Sequence, residues 1–187
     1  MLALRKPSEE KLRQFLASQR SLDLTYSAVG GTRTLLPAGY AVDHTRLKLG
    51  QGNRAFQGGT NALIDWKEFR LGWLEAWPSE TSIQVGQDVA VVVRLMGLWW
   101  LNACRIIYTV DRPAEFGFAY GTLPGHAASG EERFLVEWDR NTGDVWYDIL
   151  SFSRPHRFLA YLGYPYLRVV QKRFRRESAL AMQRAVE

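Results

Sequence analysis

The sequence predicts an α+β fold in which an antiparallel sheet is laid against one long C-terminal helix. Three observations predict it. Between residues 80 and 153 six strand-like runs follow one another, at about 80–85, 88–96, 99–110, 115–122, 132–139 and 144–153, joined by links too short for parallel crossovers. Residues 154–186 then read as helix, with Tyr166, Val170, Phe174, Ala181 and Met182 as an apolar stripe. Ahead of the strands, Ala62, Leu63, Trp66 and Phe69 recur at helical spacing over 60–70, the mark of a helix lying on something apolar.

The remaining elements follow in chain order. Ser8 precedes Glu9 and Glu10, so a helix starts there with a side-chain cap and two acids at the positive end of its dipole, and it runs to about Arg20. Residues 21–39 are irregular and form a lead-in. Tyr40–Leu49 alternates as a first strand and ends in Gly50-Gln51-Gly52-Asn53-Arg54-Ala55, which formally fits the looser dinucleotide fingerprint G-x-G-x-x-A. That reading needs a helix directly after the glycines and then a parallel strand; Gly58-Gly59 instead predicts another break. Within 115–122 Phe116, Phe118 and Tyr120 share one face, and Gly117, Ala119 and Gly121 share the other, where a second element can approach closely. The C-terminal helix divides at Gly163-Tyr164-Pro165 from a first part ending near Leu162. Its surface carries Arg168, Lys172, Arg173, Arg175 and Arg176, for which a solvated face is a commoner explanation than an anionic lipid or nucleic-acid partner.

Composition bounds the function classes. The chain has 187 residues, 47% hydrophobic and 13% aromatic, enough for a real core and far from disorder. A net charge of +5 permits loose attraction to anions without specifying any. One cysteine, Cys104, allows no internal disulfide, and residues 1–20 lack a signal-peptide pattern, so a cytoplasmic protein is expected. The longest apolar run, Val89–Trp100, is broken by Arg94 and falls short of the roughly 20 residues that cross a bilayer. Nothing in the pattern fixes an oligomeric state.

The most polar stretch between strands is 120–132, Tyr-Gly-Thr-Leu-Pro-Gly-His-Ala-Ala-Ser-Gly-Glu-Glu. Pro124-Gly125 predicts a type II turn with His126 at the tip of a long loop. Glu131 or Glu132 folding back on the imidazole would raise its pKa and make an acid–base pair. Tyr120 or Ser153 would then stand near a reacting group. No G-x-S-x-G elbow is present, and histidines at 44, 126 and 156 lack zinc-ligand spacing, so no metal and no cofactor is expected.

Several stretches together resemble a known family. Thr25-Tyr26 with Val29-Gly30-Gly31-Thr32, Gly50 and Gly52, Ala62-Leu63 with Trp66 and Trp73, and Phe152-Ser153-Arg154-Pro155 support the likeness. The specific part is Phe118-Ala119-Tyr120-Gly121-Thr122-Leu123-Pro124-Gly125-His126 with Gly130-Glu131-Glu132. On these residues, spanning about 21–180, the chain resembles domain-of-unknown-function family 1990 (UPF 0548-type), placed among the Bet v 1-like, START-related helix-grip proteins. The resemblance implies a helix-grip sheet wrapped around the last helix with a ligand cavity between them, because relatives in the wider superfamily bind lipids, sterols and other apolar molecules while some are enzymes. Residues 1–20 are then an N-terminal helical addition to a single domain at 21–187.

Three functions compete. The first is binding of an apolar or amphipathic, lipid-like small molecule, with Trp66, Trp100, Tyr108, Phe118 and Tyr120 as walls, Thr122, His126 and Ser153 as polar contacts, and Arg94 or Arg105 fixing an acid group. Both arginines interrupt apolar strands, although outward snorkelling is the commoner arrangement. The second is an enzyme using His126 with Glu131 or Glu132. The third is a module docking anionic lipid or RNA through the basic helix face, without any specific nucleic-acid motif.

Overall fold

A computed structural model of the chain describes residues 2–156 and 163–187. The strands are β1 (Leu2–Ala3), β2 (Ala41–Gln51), β3 (Leu74–Trp77), β4 (Asp88–Leu95), β5 (Leu98–Arg112), β6 (Glu115–Thr122), β7 (Ala128–Trp138) and β8 (Asp144–Pro155). The helices are α1 (Glu9–Ala17), α2 (Gly52–Ile64) and α3 (Tyr164–Val186), with 3₁₀ turns at Gly31–Arg33 and Lys67–Phe69. One sheet runs in the order β2-β8-β7-β6-β5-β4-β3, and β1 pairs with the start of β5, where β6 does not reach. Every pairing among the described residues is antiparallel. The sheet curls into a half-barrel around α3, which makes this a helix-grip fold.

Period-two alternation divides the sheet into two faces. The concave face carries Val89, Val91, Val93, Cys104, Ile106, Phe118, Tyr120, Phe134, Val136, Val145, Tyr147 and Ile149, buried against α2, the Lys67–Phe69 turn and Phe174, Ala179 and Met182 of α3. On the convex face α1 presses Leu12 and Phe15 onto Ala90, Val92, Leu101, Ala103 and Leu123. Ser8 caps α1 as expected, accepting the Lys11 N–H.

Several expectations are corrected. Residues 80–85 form no strand; the edge strand is Leu74–Trp77, four residues in the stretch between the tryptophans. Gly58-Gly59 does not break the chain, and α2 begins directly at Gly52. A Cβ on Gly59 would lie 2.8 Å from Leu49 Cδ1 and 3.0 Å from Val136 Cγ1, so glycine lets this helix settle on the sheet. The strand that follows α2 pairs antiparallel with β4, which is not dinucleotide-binding topology. Arg154 and Pro155 end β8 and are not helical; the helix expected to end near Leu162 otherwise lies outside the described residues. Tyr166, expected on the apolar stripe of α3, is 47% exposed, whereas Phe174 and Met182 are buried.

The lead-in is a strap across the convex face. Gly121 provides its berth, since a Cβ there would collide with Tyr26 Oη. Glu131, 2% exposed, collects the strap's donors: Tyr26 Oη at 2.9 Å, Gly30 N–H at 2.8 Å, Thr32 N–H at 2.9 Å and the Thr32 hydroxyl. Phe152, fully buried, packs edge-on against Tyr26 and Tyr40.

Candidate functional site

On the concave face the strand register aligns residues into rows, and their chemistry changes from one row to the next. One row, Phe118–Phe134–Ile149, is apolar. The next runs Tyr120–Glu132–Ser151–Asp43 across β6, β7, β8 and β2 and is polar throughout. Below the apolar row Trp66, Phe69, Phe118, Tyr120, Phe134 and Phe174 stack with ring centroids 4.9–6.3 Å apart. Aromatics expected to wall a cavity therefore fill the space between sheet and helix.

α3 mirrors this division. Its buried residues, Phe174, Ser178, Ala179 and Met182, all lie at or beyond residue 174, and residues 164–173 are its first half. The first half is held by polar contacts: Arg168 grips Asp43 through both guanidinium nitrogens at 2.5 and 2.7 Å, and Gln171 donates to Ser153 Oγ at 3.1 Å. Arg175, about two turns beyond Arg168, reaches Asp43 at 2.9 Å. The predicted basic face is thus split. Arg168 and Arg175 turn to the sheet, and Arg173 pairs with Glu177 at 2.8 Å over the Trp73 ring.

Tyr120 donates to Glu132 Oε2 at 2.7 Å. Burial pushes the Glu132 carboxyl up to about 7, against the opposing pulls of the Tyr120 hydrogen bond and Arg175, with Asp43 adding to the rise. Burial, reinforced by Glu132, holds the Tyr120 phenol well above its ordinary value, so it stays a neutral donor. The pair, a buried phenol and a half-buried carboxyl, can hold a polar head group or exchange a proton near neutral pH. Deeper in, Tyr147 and Ser178 hydroxyls pair at 3.0 Å, and the Glu68 carboxyl is fully buried. Burial drives the Glu68 carboxyl far above its usual range, favouring its uncharged form. Among the described residues no three His, Cys, Asp or Glu side chains converge as metal ligands.

The structure brings together Trp66, Phe118, Tyr120, Glu132 and Ser153 of the residues picked from sequence. The others lie elsewhere. Glu131 and Glu132 point to opposite faces because they are consecutive in a strand. His126 pairs with neither, and its loop is only residues 123–127 because β7 starts at Ala128. Its Nδ1 accepts the Ala128 N–H at 2.9 Å, and burial pushes the imidazole down to about 4 rather than up. The turn closes by His126 N–H to Leu123 O at 2.8 Å, but Gly125 does not take positive φ and the turn is not type II. Gly125 is needed for space: a Cβ would lie 2.8 Å from Phe15 Cζ, and its N–H donates to Gln19 Oε1 at 2.6 Å.

Tyr108 faces the strap, 2.5 Å from Thr32 Oγ1. Thr122 joins strap to hairpin through Thr25 Oγ1 at 2.6 Å and the Gly130 N–H at 2.9 Å. Arg105 forks Asp88 at 2.6 and 3.0 Å and donates to the Arg20 and Leu22 carbonyls, so its acid partner is internal. Arg94 is exposed beside Trp99, and Trp100 is 37% exposed near the β4–β5 turn. An open groove of about 780 Å³ along residues 2–7 and α1 shares no residue with the concave site. Sequence reading missed Asp43 and Glu68, and it placed Arg175 on the outward basic face of the helix rather than against the sheet. Asp43 was findable as the one acid in an alternating strand; Glu68 carries no signal, since an acid beside Trp66 and Phe69 reads as the exposed side of a helix.

Fold and concave site together define a helix-grip α+β protein with a polar row at one end of an aromatic interior. Among solved structures the chain is similar to the hypothetical protein jhp0584 from Helicobacter pylori, with a TM-score of 0.53 and 12% identity over 87% of this chain and 98% of that one. It is also similar to Ara h 8.0201, with a TM-score of 0.50 and 9% identity over 79% and 98%, a neighbour of Bet v 1 type. The family is settled by sequence. The model of DUF1990, "Domain of unknown function", matches residues 25–181, and the chain belongs to that family. It is 35% identical to a UPF0548 protein of Dictyostelium discoideum over all of this chain and 96% of the relative. It is 37% identical to a UPF0548 protein of Arabidopsis thaliana, covering 79% and 74%, and 32% identical to one of Deinococcus radiodurans, covering 99% and 98%.

Proposed function

We propose that the protein binds an amphipathic small molecule between the concave face of the sheet and α3. The head group meets Tyr120, Glu132, Ser153 and Arg175, and the apolar part reaches Phe118 and Trp66. The observation that carries this reading is the placement of the polar row Tyr120–Glu132–Ser151–Asp43 beside the half of α3 that buries no side chain. Lifting that half breaks ion pairs and hydrogen bonds that water can replace, while Phe174 and Met182 keep the second half seated. A helix-grip fold supports the reading. A cytosolic setting belongs to it as well, because the single cysteine, Cys104, is buried and unpaired.

A thermal-shift screen with single-chain amphiphiles of graded length and differing head groups tests it. Binding to the folded state alone raises Tm with ligand concentration. The reading requires a shift in the wild type that shrinks in Glu132→Ala. Equal shifts in both proteins, or no shift with any amphiphile, contradict it.

A further inference from the structure

Two glutamates are buried in this molecule, and they are treated differently. Glu131 has four donors on its two oxygens. Glu68, fully buried on the Lys67–Phe69 turn against α3, has its own backbone N–H close by but no hydrogen-bond partner from any other described residue on either oxygen. An unpaired buried acid is costly even when protonated, and a methionine or leucine would suit the surrounding aromatic cluster better. The same chain builds a full set of partners for Glu131, so the empty positions at Glu68 call for a group from outside the chain. Its surroundings narrow the choice. Trp66 and Phe69 flank it in sequence and belong to the same buried core as Tyr147, whose hydroxyl pairs with Ser178.

We propose that Glu68 is the interior anchor for a hydroxyl group at the inner end of the bound chain, beyond Phe118 and Trp66 and opposite the end that meets Tyr120 and Glu132, so that this inner position takes an alcohol in preference to an acid. A carboxylic acid offers one donor and one strong acceptor, and an alcohol answers both: its O–H donates to the Glu68 carbonyl oxygen while its oxygen accepts the Glu68 O–H. A ligand carboxylate would bring an uncompensated charge into the same apolar space, and an ammonium would require Glu68 to ionise there. This inference rests on the reading that a small molecule enters between sheet and α3.

The test uses the full chain with decan-1-ol, decanoic acid and decylamine as probes, and calorimetry for affinity at neutral pH. The wild type is expected to bind decan-1-ol about tenfold more tightly than decanoic acid, the scale of one satisfied hydrogen bond in an apolar site. Glu68→Met is expected to lose that preference, and its free form to melt at a higher temperature than the wild type because the orphaned acid is gone. Glu68→Gln, which still donates and accepts, keeps decan-1-ol binding. Unchanged decan-1-ol affinity in Glu68→Met, or a Glu68→Met protein that melts lower or fails to fold, overturns the inference, the latter by showing that the acid has a structural partner. Equal binding of all three probes by the wild type also overturns it and leaves the binding reading standing. Binding of none overturns both.

Discussion

Replacing Glu131 by Gln tests how the convex strap is held. In the wild type each carboxylate oxygen takes two donors: Oε2 has Tyr26 Oη and the Gly30 N–H, and Oε1 has the Thr32 N–H and hydroxyl. An amide has one acceptor oxygen, so its NH₂ must face at least one backbone N–H, donor against donor. Hydrogen bonds to a charged acceptor contribute about 1.5–3 kcal/mol each, and a buried donor left unpaired costs about 1–3 kcal/mol. Two weakened and one or two orphaned donors give an expected loss of about 4 kcal/mol, a large share of the roughly 5–15 kcal/mol that holds a domain folded. Tyr26→Phe removes one donor and should cost about 2 kcal/mol. The two changes share an interaction, so the double variant should lose less than the sum, with a coupling of about 1–3 kcal/mol. Urea unfolding of the four proteins measures these differences, and hydrogen exchange at the Gly30 and Thr32 amides reports the strap locally. Single variants within about 0.5 kcal/mol of the wild type, with unchanged exchange at both amides, would refute the reasoning.

Other consequences are equally direct. Glu132 has a folded pKa of about 7 against an ordinary 4.5, so its contribution to stability is fully present below about 4.5 and lost as pH rises through 7, by at most about 3 kcal/mol; urea midpoints against pH should flatten in Glu132→Gln. His126 has the opposite sign, with stability present above 6.5 and lost as pH falls towards 4, and its ring resonances followed by NMR should titrate near 4. A midpoint above 6.5 would mean that an acid pairs with the ring after all. Asp43→Ala removes the partner of Arg168 and Arg175, and amides of residues 164–173 should exchange about tenfold faster while those of 174–186 hold. Gly121→Ala should displace Tyr26 and destabilise the strap, which the same urea assay would register.

Alternation and turn residues made five of the six expected middle strands legible, because each is long enough to show its period and is bounded by glycine, proline or asparagine. β3 was hidden because four residues, Leu74–Trp77, show no period, and Ser82, Ile83 and Val85 imitate an alternating strand although only Ile83 packs on the core. Gly58-Gly59 misled because a glycine pair looks like a break until a sheet is known to lie beneath it. Half of the candidate site was visible. Tyr120, Phe118 and Trp66 follow from face and period, whereas the link from Asp43 to Arg168 and Arg175 spans more than a hundred residues and depends on how α3 is seated. The histidine loop drew attention for its polarity, yet the opposite pointing of Glu131 and Glu132 was already implied by adjacency in a strand.

Native mass spectrometry of the purified protein, followed by extraction and identification of whatever leaves it on denaturation, tests the central claim most directly. The predicted result is a stoichiometric amphipathic companion that is lost or exchanged in Glu132→Ala. A folded wild-type protein that carries nothing and takes up none of the amphiphiles offered to it would contradict binding between the sheet and α3.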